Sequence, residues 1–210
     1  MENQREAAKR RLDEEWTREG DDPDFAGLHQ GVEGTMGRHE AVIGKMHDIY
    51  GAVPRVVVDY GCGTALLLKT MHDKGLNLPA RYIGVDFLEH RRQSVERRLT
   101  HYGVNGCFLC TDDIATAHKE LNEKNREMAM VIAIGILGYR GIHTLKQISH
   151  ELIKLRNLFP MGVVTVPRQL PERLGEEDMA RYDPDDLQEA MPANMFRYTR
   201  IYTDTLVSWG

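Results

Sequence analysis

The sequence predicts an α/β protein: a doubly wound, mostly parallel sheet with an added N-terminal helical segment. Three observations carry this. Val56-Val57-Val58 is a short, continuous β-branched run of the kind that forms a strand buried on both faces. Four further strand-like runs follow it, each separated from the next by a segment of helical period. The first fifty residues stand outside that alternation and carry helical stripes of their own.

In chain order, Ala8, Leu12 and Trp16 form a thin apolar stripe on a charged helix. Residues 21–37 (DDPDFAGLHQGVEGTMG) break the pattern with Gly, Asp and Pro and read as a loop. A helix is expected over residues 38–50, where Val42, Ile43, Met46, Ile49 and Tyr50 share a face. The first strand, Val56-Val57-Val58, leads to a helix starting with Leu67, Leu68 and Met71 and ending near Gly75. Tyr82-Ile83-Gly84-Val85 is the second strand, and residues 89–102 the second crossover helix. Cys107-Phe108-Leu109-Cys110 is the third strand, with Ile114, Ala117 and Leu121 on the helix behind it. Residues 128–134 form the fourth strand. Leu145, Ile148, Leu152, Leu155 and Phe159 then give the cleanest helical period. Val163-Val164-Thr165-Val166 is the fifth strand, stopped by Pro167. Asp183 and Pro184 mark a helix start in the polar stretch that follows. The tail from Phe196 to Trp209 is strand-like, as one long strand or a tight hairpin.

Composition narrows the class. The 210 residues carry a net charge of -5, with 41% hydrophobic and 28% charged residues, which disfavours a broadly basic nucleic-acid surface. No apolar run approaches the roughly 18 residues of a membrane span. The N-terminus is charged throughout and lacks the apolar core of a secretory signal. Three cysteines, Cys62, Cys107 and Cys110, are too few for a disulfide framework. The chain therefore reads as a reduced, cytoplasmic protein of one structural domain.

Ligands of doubly wound sheets bind beyond the carboxyl ends of the strands, where the strand order reverses. That directs attention to the loops after Val58, Val85, Cys110 and Ile134. The first of these is Tyr60-Gly61-Cys62-Gly63-Thr64-Ala65, joining strand to helix. Glycines there permit positive φ and close approach of a ligand to the backbone. Asp59 stands immediately before the loop, where a carboxylate can bind an ammonium group. Asp86 ends the second strand, placed to accept the hydroxyls of a ribose.

VVVDYGCGTA resembles the first motif of the class I S-adenosylmethionine-dependent methyltransferases, a hydrophobic strand followed by acid-x-G-x-G. The resemblance covers roughly residues 38–166 and implies the Rossmann-like methyltransferase fold with S-adenosyl-L-methionine as cofactor. It assigns Asp59, Tyr60, Gly61, Cys62 and Gly63 to the methionine end of the cofactor. It assigns Asp86 in YIGVDF to ribose, Phe87 to a place beside the adenine, and Asp112 or Asp113 in CFLCTDDI to the adenine amino group. By the same resemblance Ala133, Ile134 and Gly135, ending the fourth strand, would line the cofactor and lead toward the acceptor. Phe159 to Val163 (FPMGV) is similar to the family's proline-glycine turn. Where the family often has a third glycine this chain has Ala65, which fits if that position keeps helical φ.

A nicotinamide dinucleotide enzyme is the rival. Its G-x-G-x-x-G fingerprint fails at Leu66, and Asp59 would repel a pyrophosphate. Cys107 and Cys110 form C-x-x-C, but residues three apart on a strand face opposite ways, so no metal site is expected. Arg91, Arg92, Arg97 and Arg98 read as a solvated face with Glu89 and Glu96 interspersed. His39, Tyr139 and His143 are the candidates for an acid–base role near the methyl group, each with packing or a helix start as its simpler explanation.

The expected function is methyl transfer to a small or medium-sized acceptor rather than nucleic acid. A non-catalytic cofactor-binding subunit and an RNA methyltransferase domain of a longer protein are the alternatives. Residues 1–50 are expected to form an N-terminal helical cap or lid over the strand ends, with Gly31, Gly34 and Gly37 permitting movement, or an extra helix packed on the sheet's outer face, and residues 51–210 the cofactor-binding domain.

Overall fold

The computed structural model describes residues 10, 31–137, 144–167, 184–192, 194–201 and 204–210. Among them the elements run α1 (Gly31–Tyr50), β1 (Val56–Tyr60), α2 (Leu66–Asp73), β2 (Arg81–Asp86) and, after a 3-10 turn at Glu89–Arg91, α3 (Arg92–Tyr102). They continue with β3 (Asn105–Cys110), α4 (Ile114–Lys119), α5 (Glu123–Glu127), β4 (Ala129–Ala133), α6 (Leu145–Leu158) and β5 (Met161–Pro167). The last three are α7 (Pro184–Ala190), β6 (Arg197–Ile201) and β7 (Asp204–Trp209).

These strands form one sheet in the order β3-β2-β1-β4-β5-β7-β6. The first five are parallel, and β7 runs antiparallel to both β5 and β6. The tail is therefore a hairpin. β1 and β4 are buried at every position, as expected of central strands covered on both faces. Alternation along each strand splits the core in two. Val57, Tyr82, Met130, Ile132 and Val163 meet α1, α2 and α3 on one face. Val58, Ile83, Val85, Val131 and Val164 meet α4, α6 and α7 on the other. A capping box between Thr144 and Gln147 fixes the start of α6.

α1 differs from expectation. It begins at Gly31 rather than near residue 38, and runs through Gly34 and Gly37. The buried stripe continues N-terminally through Thr35, Arg38 and His39, in helical register with Val42 and Met46. Those three residues are polar, so apolar periodicity ends before the helix does. Burial along the stripe outweighs the helix penalty of about 1 kcal/mol per glycine. Residues 35–50 lie on the sheet as the third helix of their face. Residues 1–9 and 11–30 of the expected cap lie outside the described residues, as do the segment's first three stripe positions. Pro167 is the last residue of β5 rather than a stop before it, paired with Asp204.

Gly162 is required by Trp209, its partner across β5 and β7. A Cβ there would stand 2.1 Å from the indole ring, which is buried and anchored by its Nε1 donating to the Phe159 carbonyl at 3.0 Å. Gly162→Ala is expected to lower stability by roughly 1–3 kcal/mol. Gly44 on α1 has nothing within 4 Å of its missing Cβ. Gly44→Ala should raise stability by about 0.5–1 kcal/mol. Urea denaturation of both variants checks the pair, and equal effects would contradict the packing described.

Candidate functional site

Strand order reverses between β1 and β4, and the glycine loop lies at their carboxyl ends. The amides of Gly61 and Cys62 both donate to the Val85 carbonyl, at 2.7 and 3.1 Å, which curls the loop toward β2. Gly61 and Gly63 have φ of +75° and +51°. A Cβ on Gly61 would lie 2.7 Å from Ile136 Cδ1, whereas one on Gly63 would meet nothing within 4 Å. Ile136 thus covers the first glycine and the space over the second is open.

Ala65 departs from the condition set for it. It is fully buried with φ 59° and ψ 43°, the left-handed region, immediately before α2. A side chain there costs roughly 1–2 kcal/mol relative to the right-handed form. The surrounding bonds hold the turn: the Ala65 amide donates to the Cys62 carbonyl at 2.8 Å, and Arg98 of α3 donates to both the carbonyl and the hydroxyl of Thr64. Arg98 is buried, as is Arg91, so two of the four arginines expected on a solvated face are structural. Arg92 bonds Glu89 and lies 5.0 Å over the Phe108 ring. Arg97 is exposed.

Two buried carboxylates flank the loop. Asp59 accepts a 2.6 Å hydrogen bond from the Tyr82 hydroxyl. Register makes this contact: Asp59 pairs with Gly84, and the Tyr82 ring leans along β2 across the space that Gly84 leaves empty. Burial pushes the Asp59 carboxyl up to about 7, with the Tyr82 bond opposing and the Asp86 charge adding to the rise. Asp86 accepts from the Gly63 amide at 2.9 Å and from the Leu88 amide at 3.0 Å. Its carboxyl is also raised by burial, against the pull of those two amides and of Arg91. A carboxylate offers about four lone-pair sites, so two amides leave capacity for ligand hydroxyls.

The neighbouring candidates divide. The Tyr60 hydroxyl donates to the Asp112 carbonyl at 2.9 Å, tying the loops after β1 and β3. Asp113 caps α4, accepting from the Ala115 amide at 3.1 Å, and pairs with Lys154 at 3.0 Å. Both contacts hold its carboxyl below the usual range. Cys62 is buried, its Sγ filling the space beside Gly84. Phe87 is half-buried after β2. Across the sheet Tyr60 pairs with Ala133, which places Ile134 and Gly135 beside the glycine loop. Gly135 has φ +72° and donates to Thr165 Oγ1 at 2.8 Å.

His39 is buried between α1 and α2, its Nδ1 2.9 Å from Thr70 Oγ1. The Thr70 hydroxyl also lies 2.9 Å from the Leu66 carbonyl. Burial and the adjacent Arg38 push its pKa down to about 4, so it is neutral at pH 7. Tyr139 and His143 lie outside the described residues. Sequence reasoning misses Tyr82, Arg98 and Ile136 as residues of the site. Gly84, opposite Asp59 in register, is the signal that exposes Tyr82.

No protein-family model matches the sequence, and no curated protein is similar to it. Solved structures are similar in fold. An S-adenosylmethionine-dependent methyltransferase from Clostridium acetobutylicum gives a TM-score of 0.57 at 12% identity, covering 88% of this chain and 94% of that one. The plantazolicin methyltransferase BpumL, solved with SAH, gives 0.54 at 14% identity, covering 94% and 81%. The 16S rRNA methylase RmtB gives 0.51 at 16% identity, covering 99% and 74%. The fold is that of the class I S-adenosylmethionine-dependent methyltransferases. On this methyltransferase fold Asp59, Gly61 and Gly63 stand at the end of the first strand and Asp86 at the end of the second.

Proposed function

We propose that the chain is an S-adenosylmethionine-dependent methyltransferase. One observation carries the reading: the open space over Gly63, whose amide donates to the buried Asp86 carboxylate, in the loop that follows the buried Asp59. Asp59 would hold the ammonium of the cofactor, because a buried carboxylate raised to about 7 gains most from a cationic partner. Asp86 would accept the ribose hydroxyls with its remaining lone pairs while bracing Gly63. Asp112 or Asp113, after β3, would lie beside the adenine amino group, Asp113 while capping α4 and pairing with Lys154. The bound cofactor supplies an electrophilic methyl group on a sulfonium. The chain's part is to hold that group in line with the acceptor and to exclude water.

A dinucleotide fits less well. Two buried carboxylates at the loop oppose a pyrophosphate, and Leu66 opens α2 where a dinucleotide loop needs glycine. The net charge of -5 favours a small or medium-sized acceptor over nucleic acid, and a cytoplasmic enzyme accords with the composition. Among the described residues, no helix is long and apolar enough to cross a membrane. We further propose that residues 20–50 protect the bound cofactor, which predicts slower hydrogen exchange there on cofactor binding.

Calorimetry tests the cofactor. S-adenosylmethionine and S-adenosylhomocysteine should bind and NAD should not; preferential NAD binding overturns the reading. Formation of S-adenosylhomocysteine on addition of a small-molecule cell extract then separates an enzyme from a non-catalytic binding subunit, and turnover on RNA alone would reverse the acceptor class.

A further inference from the structure

The end of β4 carries a guanidinium that no motif points to. Arg38 lies on the buried stripe of α1 and is 9% exposed. Asp204, the fully buried first residue of β7, holds one edge of it. Nη2 donates to Oδ1 at 3.3 Å, and Nε stands 2.5 Å from Oδ2, an ionic contact off the hydrogen-bond direction. The other terminal nitrogen, Nη1, is turned toward the β4 turn, 3.0 Å from where a Cβ on Gly135 would stand. It has no hydrogen-bond partner among the described residues. The missing side chain of Gly135 is what lets it approach.

Gly135 adjoins the glycine loop, because Tyr60 and Ala133 are partners across β1 and β4. Asp59 alternates with Val57 and so faces the same side of the sheet as α1. A buried carboxylate on β1 and a buried guanidinium over the β4 turn therefore flank one loop on one face. The amino-acid end of the proposed cofactor is a zwitterion. With Asp59 and Asp86 alone the site would repel its carboxylate. The other two arginines buried among the described residues serve the β2 side: Arg98 donates to Thr64, and Arg91 acts on Asp86.

We infer that Arg38, oriented by Asp204, receives the α-carboxylate of the cofactor opposite the ammonium held by Asp59. This rests on the cofactor reading above. A guanidinium gripped on one edge presents its remaining N–H groups in a fixed plane, which suits a carboxylate. The consequence is selection: the site distinguishes S-adenosylmethionine from its decarboxylated analogue, which keeps the sulfonium, the adenosine and the ammonium.

Calorimetry on the unmodified chain with both ligands tests this. Loss of one charge-assisted hydrogen bond should weaken the decarboxylated analogue by about ten- to a hundredfold. Arg38→Gln alone leaves Asp204 buried without its counter-ion and risks unfolding, so Arg38→Gln/Asp204→Asn is the variant to use, with circular dichroism to confirm its fold. Its ratio of affinities should fall to about one. Asp204→Asn alone should reduce the ratio without abolishing it, an effect that a merely structural pair would not produce. Equal affinities in the unmodified chain, or an unchanged ratio in the double variant, overturn the assignment of Arg38 while leaving the cofactor reading intact. Failure of both adenosyl ligands to bind overturns the cofactor reading itself and this inference with it.

Discussion

Asp59→Asn is expected to stabilise the free chain at pH 8 and to weaken cofactor binding at the same time. The Asp59 carboxyl is raised from 3.8 to about 7 by burial. Between those values the folded chain keeps a proton that the unfolded chain has lost. The group's stabilising contribution is therefore complete below about pH 4, declines as pH rises toward 7 and is absent above it. At pH 8 the fold carries a buried negative charge whose hydrogen-bond donor is the Tyr82 hydroxyl. Asn is neutral throughout and keeps an oxygen for that hydroxyl. We expect a gain of at least about 1 kcal/mol at pH 8, shrinking toward pH 4.5. The same change removes the counter-charge for an ammonium, so cofactor affinity should fall at least about tenfold. In the unmodified chain affinity should rise with pH up to about 7 and then level off. Urea denaturation at three pH values and calorimetry read both effects. A pH-independent loss of stability would contradict the electrostatics.

Asp86→Ala is expected to act on both affinity and stability. The carboxylate accepts the Gly63 and Leu88 amides, so the loop loses a brace when it is removed. Leaving the Leu88 amide without its acceptor costs roughly 1–3 kcal/mol. Loss of the ribose contacts should weaken cofactor affinity at least about tenfold. Asp86→Asn retains one acceptor oxygen and should fall between the two. Unchanged affinity in Asp86→Ala would show that the ribose is seated elsewhere.

The parts of this site that are legible in the amino-acid sequence share a physical origin. Central strands of a parallel sheet must be apolar on both faces, so Val56-Val57-Val58 announces itself, and the polar residues ending such runs stand out. Asp59 and Asp86 are visible for that reason. What stays hidden depends on contacts between elements. Tyr82 reaches Asp59 only through the register that sets Asp59 against Gly84. Arg98 looks solvated in a helix rich in charge, yet its burial follows from its hydrogen bonds to Thr64. Arg38 belongs to a stripe whose polar members conceal seven residues of α1 from an apolar count. Ala65 shows the limit of motif reasoning: the residue is small enough, but the backbone conformation is the one a glycine serves best.

The most direct test of the account is a crystal structure of the chain with S-adenosylhomocysteine. The ligand should lie over Gly61 and Gly63, with its ribose hydroxyls on Asp86 and its amino-acid end between Asp59 and Arg38. A ligand bound elsewhere, or one that leaves Asp86 without a ribose contact, would contradict it.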